Sequence, residues 1–93
     1  MEMKEIHANA AYKVLKVTLA KGEKMPQHFA SSDAFLILEK GKVKLQLPDK
    51  EVELVQGATW HIPAGLPHSL QVLEDFSAYV VLAGQAQIKF TNL

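Results

Sequence analysis

Apolar side chains recur along this chain at period two, and Gly or Pro interrupts the alternation about every eight to twelve residues. Almost no window carries the 3.6-residue period of an amphipathic helix. The clearest strand is 43–47, where Val43, Leu45 and Leu47 share one face and Lys44 and Gln46 the other. It stops at Pro48-Asp49, because the proline ring presets a turn and removes a ladder donor. The segment 34–39 is apolar at nearly every position and runs through Lys40 into Gly41. It reads as a strand buried on both faces and followed by a hairpin. Further strands are expected at 52–55, which closes at Gly57, and at 58–62, 69–73, 78–83 and 87–90, with Glu74-Asp75 as the turn between two of them. Near the N-terminus Tyr12 and Val14 share one parity while Leu15, Val17 and Leu19 share the other. A bulge or a change of sheet near Val14 would reconcile the two. Eight to ten short strands suit a jelly-roll barrel.

Composition narrows the setting. The chain has 93 residues, the size of one domain, and its high surface-to-volume ratio favours burying a face against a second copy, so a homodimer is expected. Ten basic and ten acidic residues are dispersed along it, leaving no block of charge for nucleic acid or an anionic membrane. Cysteine is absent, which excludes disulfides and thiolate metal sites. The N-terminal residues are mixed polar and no run reaches membrane-spanning length, so the expectation is a soluble cytoplasmic protein.

Two spaced sets of residues carry the candidate chemistry. The first is Gly22, His28, Ala30, Ala34 and Gly41; the second is Gly57, Pro63, Gly65, His68 and Val72, within the text Ile62-Pro63-Ala64-Gly65-Leu66-Pro67-His68. Gly57 and Gly65 bracket a strand and a tight loop where positive backbone torsion is expected, and Pro63 and Pro67 stiffen the segment that delivers His68. The spacing resembles the two motifs of the cupin superfamily. The first of these runs Gly, five residues, His-x-His, three or four residues, Glu, six residues, Gly. The second runs Gly, five residues, Pro-x-Gly, two residues, His, three residues, Asn. The resemblance covers residues 22–72 and implies an all-β, double-stranded β-helix (jelly-roll) cupin barrel, here a single domain over 1–93. It also implies a divalent metal on three His and one Glu. This chain departs from that pattern, with alanine at 30 and 34 and valine at 72.

Only His28 and His68 remain of the implied ligand set. Two neutral imidazoles leave most of an octahedral shell to water and the ion's double charge uncompensated, so no tightly bound cofactor is expected. Fe, Mn, Ni or Zn would need Asp33 or His61 as a substitute. On an extended strand Asp33 has the wrong parity for the pocket, His61 could face either way, and His7 is the least constrained. The ligand-binding candidates are His28, His68, Trp60, His61 and Phe35, with Trp60 open between a stacking surface and core. The expected function is binding of a small, partly apolar molecule, with a carboxylate or carbonyl meeting an imidazole. The alternatives are a metal-dependent enzyme of dioxygenase or isomerase type, a non-catalytic dimeric interaction domain, and metal-free acid–base chemistry by the His pair.

Overall fold

The structure is a computed structural model and describes residues 1–91. Its strands are β1 (Glu2–Ala8), β2 (Tyr12–Leu19), β3 (Lys24–Ala30), β4 (Ala34–Gln46), β5 (Glu51–Val55), β6 (Thr59–Ile62), β7 (His68–Ala83) and β8 (Ile88–Phe90). The chain is all-β and forms one curled sheet built around β4 and β7, which pair antiparallel from Ala34↔Leu82 to Gln46↔Ser69. Along the second half of β7 the order is β1-β2-β7-β4-β6, and along its first half it is β8-β3-β7-β4-β5. Two long strands thus serve both halves, and the halves fold over one another where those strands bend.

The bend lies where the sequence suggested two turns. β4 runs straight through Gly41, and β7 runs straight through Glu74-Asp75; the two sites oppose one another, with register shifts between Leu38 and Val43. Gly41 has φ +97°, and a Cβ there would lie 2.2 Å from the Asp75 carbonyl oxygen. The punctuation residues therefore mark a corner in a continuous ladder, because a glycine can bend a strand without ending it. The hairpin that actually follows joins β4 to β5 beyond Gln46, as Pro48-Asp49 suggests.

The alternation of β2 places Leu15, Val17 and Leu19 inside and Tyr12 outside. The irregularity expected near Val14 sits on its partner: β1 shifts register between Glu5 and His7, opposite Leu15 and Val14. β1 and β3 are strands that the alternation does not disclose. In β1 every residue but Met3 is exposed, so it has no apolar face to read and is held by its ladder with β2. β3 contains Pro26, and its register with β7 shifts between Met25 and His28.

Leu38, Val43, Leu45, Val72 and Phe76 pack the centre, each at most 2 % exposed. A second group of Leu15, Ala30, Ala34, Ile62, Leu82 and Ala86 closes the other end, where the small alanines leave space. The segment 34–39 is buried on one face only: Ala34, Leu36 and Leu38 turn inward, whereas Phe35 is 43 % exposed and Ile37 half-buried.

Candidate functional site

A bulge and a stiff loop bring two histidines together. Met25 pairs with Leu70 and His28 with His68, so β3 spends one more residue than β7 between these rungs. The extra residue falls at Pro26-Gln27, where a missing N–H does least harm, and it lets Met25 and His28 both face inward despite their odd spacing. On the other side, Gly65 at φ +76° donates its N–H to the Ala30 carbonyl at 2.8 Å, which docks the 63–67 loop on the end of β3. His68 then opens β7 directly opposite His28. The ring centroids are 4.2 Å apart with a 63° interplanar angle, and the Phe90 ring from β8 flanks His28 at 5.2 Å.

Both imidazoles are oriented in the same way. His28 Nδ1 lies 2.7 Å from the Pro26 carbonyl oxygen, and His68 Nδ1 lies 2.8 Å from that of Leu66. A carbonyl only accepts, so each Nδ1 carries the hydrogen and the neutral ring leaves Nε2 as a bare acceptor. Among the described residues neither Nε2 has a hydrogen-bond partner, and the one fully enclosed side-chain polar atom left unpaired is Ser77 Oγ. The Nε2 atoms are therefore not sealed in, and both rings belong to the wall of one cavity. The residues themselves are only 5 % and 7 % exposed. Burial lowers the His28 pKa to about 4, against the opposing pull of the Pro26 carbonyl and with a further push from His68. Burial lowers the His68 pKa as well.

That cavity, of about 40 Å³, lies between the two halves of the sheet. On that measure one water needs roughly 10–15 Å³, so there is room for a few water molecules or a compact ligand. Its wall includes Met3, Met25, Ala30, Ala34, Leu70 and Phe76 beside the two histidines, and no lysine, arginine or carboxylate. Periodicity gives no sign of Met3; Pro26 inside a strand, two residues before a histidine, is the sequence signal that could have placed Met25 on this wall.

The remaining candidates lie elsewhere. Phe35 and His61 face outward from adjacent strands, in register with each other. His61 Nε2 donates to Asp33 Oδ2 at 2.9 Å, and the Ala64 N–H donates to Asp33 Oδ1. The His61 hydrogen bond, then that from Ala64, holds the Asp33 carboxyl below its usual range. The two residues offered as substitute ligands thus satisfy each other on the outer surface. Trp60 is half-buried against the core, with Lys50 Nζ 5.5 Å from its ring centroid, and does not line the cavity. His7 sits on β1 against Tyr12, ring centroids 5.4 Å apart.

The donor set of the cavity does not fit a hard divalent ion. Methyl groups at Ala30 and Ala34 stand where the resemblance implies a histidine and a glutamate. Two imidazoles remain, with no carboxylate to offset the charge. Among the described residues no group of three or more His, Cys, Asp or Glu gathers around one point. What the pair can do is accept hydrogen bonds, or a proton, within an apolar enclosure.

Known proteins agree with this architecture. No curated protein matches the chain. A conserved double-stranded β-helix protein from Klebsiella pneumoniae superposes with a TM-score of 0.87 at 14 % identity, covering 99 % of this chain and 84 % of that one. An RmlC-like cupin family protein with the same fold from Methanocaldococcus jannaschii gives 0.81 at 23 % identity, over 89 % and 79 %. Oxalate decarboxylase from Bacillus subtilis gives 0.77 at 21 % identity, over 82 % of this chain but 22 % of that one. At these identities the likeness speaks to fold alone. The model of the cupin domain family matches residues 15–84, which span the bent strands, the bulge and both histidines, and the chain belongs to that family.

Proposed function

We propose that this protein binds a small, partly apolar molecule in the barrel cavity, on His28 and His68, without a tightly held metal. The observation that supports the reading most directly is the pair of buried imidazoles, each with an unpaired nitrogen, on the wall of an otherwise apolar cavity. Apolar cavities with a few convergent polar groups are the usual form of a small-molecule site. Xenon is a suitable test probe, since it enters dry apolar cavities without needing hydrogen bonds. Saturable xenon shifts in NMR are expected at Met25 and Leu70, and Ala34→Leu, which fills the space, is expected to remove them. A protein whose cavity excludes xenon would refute the reading.

We further propose a homodimer through the outer face of β1-β2-β7-β4-β6. Two rows cross that face in register: His7, Val14, Val81, Phe35, His61, and Lys4, Lys16, Tyr79, Ile37, Thr59. Its centre is apolar, and Tyr12 and Phe35 are each 43 % exposed. The charges on this face are largely met within the copy, Lys16 Nζ lying 3.9 Å from Glu39 Oε1 and Asp33 accepting from His61. A twofold axis along β7 would bring the apolar centres of the two copies face to face. Five strands at ~4.8 Å spacing and roughly seven residues of ~3.3 Å rise give a face of roughly 500 Å² per copy, about 1,000 Å² in all, which is the lower bound for a biological interface and fits a weak dimer. Sedimentation is expected to give a dimer for the native chain and a monomer for Phe35→Glu; a monomeric native chain would exclude this surface.

A further inference from the structure

We propose that the cavity selects a neutral hydrogen-bond donor, an O–H or N–H on a compact apolar body, and rejects carbonyl-only and carboxylate ligands. This deepens the binding reading above and rests on it. The argument is one of polarity. Each Nδ1–H is already spent on a backbone carbonyl two residues earlier, at 2.7 Å for His28 and 2.8 Å for His68. What remains to meet a ligand is two lone pairs, on rings whose centroids are 4.2 Å apart. No other side chain on the wall offers a hydrogen: the rest are Met3, Val17, Met25, Ala30, Ala34, Leu36, and further aliphatic residues with Phe76.

A ligand carbonyl entering this space loses its hydrogen bonds to water and finds none in return. A carboxylate loses far more, because no cation or N–H on the wall compensates the buried charge. An alcohol or amide hydrogen exchanges a water acceptor for an imidazole acceptor, while its apolar part fills the aliphatic wall. The paired nitrogens also suit two donors at once, as in an amide NH2 or a diol. Ring protonation would reverse the preference, but burial opposes it and holds His28 to about 4. The titratable group facing His28 across the ladder is His68, and Phe90 faces it from β8, so no neighbouring carboxylate draws a proton onto the pair. A carboxylate or carbonyl partner, as expected from the sequence, would need an imidazole N–H turned to the space, and both Nδ1–H groups are on backbone carbonyls.

The test uses the full chain at pH 7 and four probes: 2-propanol, acetone and acetate, which are matched in heavy-atom count, and xenon. Ring nitrogen shifts of the two histidines are read by two-bond proton–nitrogen NMR. One net hydrogen bond is about 1 kcal/mol, so 2-propanol is expected to bind about fivefold more tightly than acetone. It should move both Nε2 resonances, and acetate should not bind. His68→Leu leaves the His28 acceptor in place and is expected to lower the preference for 2-propanol over acetone by no more than about twofold, whereas His28→Leu and His68→Leu together bring it to unity while xenon still enters. Acetone or acetate binding as tightly as 2-propanol, with xenon bound, would overturn the ligand class and leave the cavity reading standing. Hydrogen on Nε2 in the free protein would overturn it too. Failure of all four probes to bind would overturn both.

Discussion

Gly41→Ala is expected to destabilise the fold by roughly 3 kcal/mol or more, while Gly22→Ala costs roughly 1–2 kcal/mol. Both glycines have positive φ, +97° and +88°, so each substitution forces a side chain into backbone torsions that L-residues avoid. They differ in what the new Cβ meets. At Gly22 nothing lies within 4 Å, whereas at Gly41 it would sit 2.2 Å from the Asp75 carbonyl oxygen and 2.9 Å from its carbon. Those are backbone atoms of β7 at the corner where the two long strands turn together, so no side-chain rotation relieves the clash and the ladder itself must part. Urea denaturation of the two variants checks this: the midpoint of Gly41→Ala should fall well below that of Gly22→Ala at similar slope. In thermal terms the loss corresponds to roughly 12 °C or more for a domain of this size. Equal midpoints would mean that the bend tolerates a side chain and is not what sets the corner.

The second large effect is with acid. His28 is held neutral by burial at a pKa of about 4, against 6.5 for the free side chain. The unfolded chain takes up a proton below about 6.5, and the native chain does so only near 4. Between these values the unfolded state binds more protons, so stability falls as pH falls, and above 6.5 the residue has no effect on the pH dependence. A difference of this size corresponds to about 3 kcal/mol lost across the window. His68, lowered in the same direction by burial, adds to the loss with the same sign. His28→Asn places an amide N–H where the Nδ1–H stood, so it keeps a donor for the Pro26 carbonyl and cannot charge. It is therefore expected to lose about 3 kcal/mol less than the native chain on going from pH 7 to pH 4. The exposed carboxyls of Glu23 and Asp33, lowered by their hydrogen bonds, act alike in both proteins and cancel in the comparison. Parallel stability–pH curves for the two would show that His28 is not buried neutral in solution.

Particular residues show how far the chain could be read without coordinates. The strand 43–47 and the turn at Pro48-Asp49 were legible because a half-buried strand needs no more than alternation and a breaker. The two spaced sets around His28 and His68 were legible as a fold signature, since glycines at fixed offsets answer local backbone demands, and Gly22, Gly41, Gly57 and Gly65 all take positive φ. The same local reading failed at Gly41 and Glu74-Asp75. A glycine or an acidic pair looks alike whether the chain reverses there or only bends, and the long ladder between β4 and β7 is what keeps it going. It failed also for Phe35 and His61: parity gives two faces but does not say which is inside, and an apolar run gives no parity at all.

The sequence alone determined the family, the strand-rich architecture, the loss of the implied metal ligands to Ala30 and Ala34, and the two imidazoles that remain. Tertiary structure decided that those imidazoles share one rung, that Asp33 and His61 close on each other outside, and that a small cavity with accepting nitrogens lies between the two halves of the sheet. The division has a physical cause. Residue type fixes which atoms can donate, accept or bend, but the polarity a histidine shows depends on which of its nitrogens a backbone carbonyl has taken, and only the folded chain brings that carbonyl within reach.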